Sequence, residues 1–224
     1  VRHVAARGLL AAALVGVTVT HAADQPCEVV PMPCTFEARP FTLTVADADG
    51  RPLADVHALA EWQVHGRGGR LDGPLMVLHA VSGDDGRLAF PGWGPVAGPV
   101  TGIGVGRDPV VTLFKSGYTT LFANNPRVPP GGERERVRRA GQDGRTYRLE
   151  RFTGTPEQWL DLLSRSLGVS GRSDEILTKF RRAYLGRYRR VSAERVAVPI
   201  RDRRAEIFFQ YVDRSLQLLE EGSR

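Results

Sequence analysis

The hydrophobic period of this chain changes once, after Phe152, and that change divides it into two kinds of structure. Ahead of it the period is two. Phe41, Leu43 and Val45 alternate with Thr42, Thr44 and Ala46, the pattern of a half-buried strand. Behind it the period is helical. Trp159, Leu162, Leu163 and Leu167 fall on one face of a helix. The expected chain is therefore mainly β with an α tail.

The strand signals continue beyond Val45. Val56 to Trp62, Leu75 to Val81, Arg87 to Phe90, Val110 to Phe114, Tyr118 to Phe122 and Arg145 to Phe152 each read as a short strand. Turns rich in Gly, Pro and Asp separate them: Asp47 to Pro52, the flexible stretch His65 to Arg70, Ser82 to Gly86, and Lys115 to Gly117. Many short strands with such punctuation predict an antiparallel sandwich. Pro91 to Gly106 is dense in Gly and Pro and is expected to be a surface loop.

Three motifs carry a resemblance. Phe41 to Val45 followed by Asp49-Gly-Arg-Pro-Leu-Ala-Asp-Val56 resembles the first hairpin of carboxypeptidase regulatory-like domains. Ser82-Gly-Asp-Asp-Gly86-Arg-Leu-Ala-Phe90 is similar to that family's Asp-Gly turn leading into an inward aromatic. Phe114-Lys-Ser-Gly-Tyr118 is similar to its Lys-x-Gly-Tyr hairpin. The resemblance covers Arg39 to Asn124 and implies a prealbumin-like (transthyretin-like) sandwich acting as a structural or binding module. A fold analogy of this kind fixes no reaction. The insertion from Trp93 to Asp108 departs from the compact family pattern.

The tail reads as two or three helices. Thr155 with Pro156 and Gln158 forms a capping box at one start, and Gly168 is the stop. Ser173 caps a second helix with Ile176, Leu177, Phe180, Ala183, Tyr184 and Tyr188 on its apolar face. Pro199 breaks the chain, and a third helix is expected from Arg203 to Glu221. These faces are apolar enough to pack on each other or on the sandwich.

The N-terminus reads as an export signal over residues 1–23. Arg2 and Arg7 form a positive start, Gly8 to Val19 an apolar run, and His21-Ala22-Ala23 a small-residue cleavage site. The run is short for a membrane span, which takes about 20 residues. Retention as an N-terminal anchor is the alternative. The expected address is periplasmic or secreted, in a bacterial envelope, with no transmembrane segment after cleavage. Residues 24–38 then form a leader to the sandwich at 39–152, and 153–224 the helical region. Cys27 and Cys34 are expected to pair as a disulfide in that oxidising setting. Their spacing fits neither a zinc site nor a redox C-x-x-C.

Charge is split along the chain. Ala23 to Glu133 carries 8 basic and 12 acidic residues, and Arg134 to Arg224 carries 21 and 13. Arg supplies all the basic residues but Lys115 and Lys179, which fits a GC-rich coding bias. Arg181, Arg182, Arg187, Arg189 and Arg190 crowd one stretch, with Arg201, Arg203 and Arg204 beyond. One reading is compensation of a helix C-terminus. The other is contact with an anionic envelope surface or an acidic envelope protein. Nucleic acid is not an expected partner on the export route.

Chemistry-bearing residues are sparse. His57 and His79 lie in predicted strands and can face each other, but no metal-binding His motif is present. Intradiol dioxygenases use a prealbumin-like sandwich with paired Tyr and His iron ligands, an arrangement this chain lacks. The Tyr-Arg-Gly-Ser ending of the transthyretin-like hydroxyisourate hydrolases is also absent. Ser82 is not in a nucleophile elbow. Asp47, Asp49, Asp84 and Asp85 are placed to cap their own turns, calcium being the alternative. Gly102, Gly104 and Gly106 lack the spacing of a phosphate loop. Trp93 and Tyr118 are candidate stacking platforms for a glycan or a partner, unless Trp93 folds back to close the sandwich. The expectation is a non-catalytic envelope module with no cofactor. The alternatives are a carbohydrate-binding module and a small hydrolase or metal-dependent enzyme built around His57 or His79.

Overall fold

The computed structural model describes residues 35–65, 71–98, 104–105, 109–125, 135–168, 173–198 and 203–221. The segment 1–23 and the expected Cys27–Cys34 pair lie outside the described residues.

The strands come first, as the period predicts. They are β1 (Thr35–Ala38), β2 (Phe41–Ala46), β3 (His57–His65), β4 (Leu71–Val81), β5 (Arg87–Phe90), β6 (Trp93–Ala97), β7 (Gly104–Val105), β8 (Val110–Phe114), β9 (Leu121–Ala123), β10 (Val137–Arg138) and β11 (Arg145–Arg148). The largest sheet runs β4-β3-β8-β9, with β7 also paired to β3. A second sheet runs β11-β2-β5 and a third β10-β1-β6.

Most pairings are antiparallel, but β1 with β10 and β2 with β11 are parallel. This corrects the expectation of a purely antiparallel body. Each parallel partner returns from far along the chain, which allows a crossover that a tight hairpin cannot make.

Phe41, Leu43 and Val45 all point inward, as their alternation requires. With Leu88 and Phe90 they meet Ala58, Ala60 and Trp62 of β3 and Val111 and Leu113 of β8. Phe41 stacks on Phe90 with ring centroids 4.7 Å apart. Gly86 has φ +70°, and a Cβ there would lie 2.3 Å from the Val45 carbonyl oxygen. The Asp-Gly turn thus lets β5 lie close beside β2.

Four α-helices follow: α1 (Pro156–Ser166), α2 (Asp174–Lys179), α3 (Arg181–Ala193) and α4 (Arg203–Glu221), with a 3-10 turn at Glu194–Ala197. The Thr155–Gln158 capping box is present. The second expected helix is divided at Phe180, whose backbone (φ −113°, ψ 33°) leaves the helical region. That kink is why the described residues hold four α-helices where two or three are expected.

The helices cover the outer face of the β4-β3-β8 layer. Leu59, Val77 and Phe114 join Trp159, Leu163, Leu177, Tyr184, Tyr188, Phe209 and Val212 in a second core. The central sheet is therefore buried on both sides.

Other boundaries differ from expectation. The loop predicted over Pro91 to Gly106 contains β6 and β7. Gly94 and Pro95 read as turn residues, but among the described residues β6 is an edge strand beside β1, where Pro is tolerated. The strand predicted from Tyr118 begins only at Leu121, and Tyr118 instead makes an isolated bridge to Arg151.

Candidate functional site

The kink at Phe180 builds one surface feature. It sets Lys179 at the end of α2 and Arg181 and Arg182 in the first turn of α3. No acidic residue occupies that turn. Two arginines at a helix N-terminus add to the positive end of the macrodipole instead of offsetting it. This corrects the expectation that the cluster serves a helix C-terminus. Only Arg190, in the last turn of α3, follows that logic.

A groove of about 720 Å³ opens beside these residues. Val77 and Leu78 of β4 with Ala183 and Leu185 of α3 supply its apolar lining, and Lys179, Arg181 and Arg182 its charged lining. The Lys179 ammonium sits 5.1 Å from the centre of the Phe180 ring. The arrangement is amphipathic, with a hydrophobic wall and cationic groups beside it.

Arg181 is engaged within the protein, and so are four more arginines of the cluster. Arg189 pairs with Glu220 at 3.0 Å and Arg190 with Asp55 at 3.4 Å. Arg204 pairs with Asp161. Arg187, expected on the same surface, is fully buried. Its guanidinium donates to the backbone carbonyls of Ser166 (2.8 Å), His57 (2.8 Å) and Thr112 (2.9 Å). Burial pushes it down to about 9, opposed by Glu61 and Tyr184, so it stays charged at neutral pH. Glu61, also fully buried, accepts a hydrogen bond from the Tyr184 hydroxyl. Glu61, Tyr184 and Arg187 thus form a polar lock between sheet and helices.

Beside the lock lies a histidine pair. His57 Nδ1 and His79 Nε2 are 3.2 Å apart, and His57 Nε2 is 3.4 Å from an Asp55 carboxylate oxygen. Burial, then Arg187, then His57 lower His79 to about 4. His57 is lowered chiefly by burial, with Arg187 and Arg190 adding and Asp55 opposing. Both rings are neutral at pH 7. The carboxylate–imidazole–imidazole chain has the outline of a proton relay. Its inner end is covered, because a Cβ on Gly186 of α3 would lie 2.8 Å from His79 Cε1. Among the described residues no group of three or more His, Cys, Asp or Glu is placed to hold a metal.

The remaining candidates make contacts within the fold. Tyr118 is only 6 % exposed and carries the Arg151 guanidinium 5.1 Å from its ring centre, so it offers no open stacking face. Trp93 folds back, edge-on to Trp62 with centroids 5.3 Å apart. Ser82 Oγ donates to Leu53 O and accepts from Val56 N, closing a loop. Asp47 and Asp85 accept hydrogen bonds from their own turns.

No family model and no curated protein matches the chain. A solved structure with some similarity is 3-chlorocatechol 1,2-dioxygenase from Rhodococcus opacus 1CP. It is 15 % identical, with a TM-score of 0.29, over 58 % of this chain and 66 % of that one. An overlap of that extent carries no argument about activity.

Proposed function

We propose that this chain is a non-catalytic binding module of the bacterial envelope, exported to the periplasm, whose basic groove receives an anionic amphiphile. The observation that carries this reading is the groove itself: Lys179, Arg181 and Arg182 beside a wall of Val77, Leu78, Ala183 and Leu185. Cations match a phosphate or carboxylate headgroup, and the wall matches its apolar portion. We read the sheet body as a prealbumin-like scaffold of the carboxypeptidase regulatory-like type. In support, the three quoted motifs fall at the turn after β2, at the turn before β5 and at the turn after β8.

The test is co-sedimentation with vesicles of anionic or zwitterionic phospholipid at low and high salt. Binding to the anionic vesicles alone, weakened by salt and by Arg181→Gln/Arg182→Gln, is expected. Equal sedimentation of the double variant would remove the groove from the account.

A further inference from the structure

Two consecutive residues of β4, Val77 and Leu78, line the basic groove. Consecutive side chains of a strand point to opposite faces of the sheet. Val77 belongs to the helix-side core, and Leu78 packs against the core on the other face. A groove that touches both residues therefore runs past the edge of the strand, along its main chain.

Among the described residues β4 pairs only with β3, so its other edge is open. From Met76 to Val81 the ladder is regular, with six consecutive partners from Trp62 to His57. In such an antiparallel ladder every second residue turns its N–H and C=O away from the partner strand. Natural edges are ordinarily blunted by shortness, charge, proline or a bulge. The opposite edge of the sheet, β9, has three residues, and the edge strand β6 carries Pro95. In β4 the blunting devices sit at the start of the strand: Asp72, Pro74 and the register shift beside Trp62. Leu75 to Val81 has no proline, lysine, arginine, aspartate or glutamate. A regular, unblunted edge thus borders the groove.

We propose that this edge takes up an extended peptide as an added strand, with acidic side chains toward the helices and apolar ones on the other face. The proposal rests on the reading of the groove as a binding site and names the class of its anionic amphiphile. A second main chain supplies donors and acceptors in the alternation that a sheet edge presents. On the helix side the added strand would meet the exposed Lys179 and Arg182. On the other side it would lie beside the half-buried Met76, Leu78 and Ala80. A second copy of this chain fits worse, because pairing two β4 edges about a two-fold axis brings the same cations together on one face.

The test is calorimetric titration of the full chain with acetyl-Glu-Val-Glu-Val-Glu-Val-Glu-amide. The control is the same peptide N-methylated at its third and fourth residues, which blocks both of its edges and leaves every side chain intact. N-methylation is expected to weaken binding about tenfold or more, through the lost main-chain hydrogen bonds. Lys179→Gln/Arg182→Gln, at two exposed positions, is expected to weaken it about tenfold at low salt. The unmodified peptide should also slow hydrogen exchange at alternate amides between Met76 and Val81. Equal binding of the two peptides would overturn strand addition. If the charge variant then still weakened both, the groove reading would stand alone; if it did not, that reading would fall too. No peptide binding beside retained binding of anionic vesicles would likewise overturn this proposal and spare the groove. Protection of the same amides that grows with protein concentration, without peptide, would overturn it in favour of a second copy.

Discussion

The Tyr184 hydroxyl, on α3, donates a 2.9 Å hydrogen bond to the carboxylate of Glu61, in the middle of β3, with both side chains fully buried. Arg187, one helical turn further on, binds the backbone of β3 and β8. The helical layer is therefore keyed to the sheet by charge and geometry as well as by apolar packing.

Breaking that lock from one side leaves a buried charge without its counterpart. Arg187→Met is expected to destabilise the protein by roughly 3–5 kcal/mol. Glu61→Leu/Arg187→Met, which removes both charges, should recover much of that loss. Tyr184→Phe should cost about 1–3 kcal/mol, because it strips a donor from a buried acceptor. Urea unfolding of the four proteins, read as free energies, checks the series.

The histidine pair makes the sheet–helix contact sensitive to acid. The folded protein holds His79 neutral, lowered from 6.5 to about 4. Its contribution is therefore fully present above pH 6.5 and is lost as the pH falls from there toward 4. The groups facing it are His57, Arg187 and, through His57, Asp55 and Arg190. His79→Gln lacks the titration, so wild type should lose stability relative to the variant as the pH drops across that window. Parallel urea midpoints at several pH values decide it. A constant difference would remove the pair from the pH response.

Gly86 and Gly117 both have positive φ, but their surroundings differ. A Cβ at Gly86 would meet the Val45 carbonyl at 2.3 Å, whereas nothing lies within 4 Å of one at Gly117. Gly117→Ala should cost only the left-handed backbone penalty, about 1–2 kcal/mol. Gly86→Ala should cost more, since β5 must also shift away from β2. Thermal unfolding of the two variants tests the ordering.

Trp93→Ala should act on stability. The ring packs against Trp62, so its loss is expected to cost roughly 1–3 kcal/mol, below the 3–5 typical of a large aromatic residue truncated in a core. Vesicle binding should be unchanged. Chemical denaturation alongside co-sedimentation separates the two effects.

The inward-facing strands were readable because their alternation is strict. β2, β5 and β8 have the expected bounds. The capping box placed the start of α1. What escaped were contacts made at a distance. β1 and β10 are short, and each is defined by a partner far along the chain. Glu61 sits between Ala60 and Trp62 and reads as the solvent face of a half-buried strand, because nothing local reveals that helices will cover it. Arg187 reads as one more surface arginine for the same reason. The Phe180 kink also escaped, since the apolar spacing runs through it unbroken. The basic residues of the groove were singled out, but their position at a helix start was not.

Arg187 reaches carbonyls 21, 75 and 130 positions earlier in the chain. One side chain therefore closes three loops of very different length, and all three stay open until α3 has been made. Loop closure of that span is slow, and contacts of high sequence separation set the pace of folding. A chain synthesised from its N-terminus holds every strand of its central sheet by Ala123, but the arginine that ties helix to sheet follows only at position 187. Until then the helix-facing side of β3, with its carboxylate, remains in water, and the nascent protein stays an open, late-closing structure.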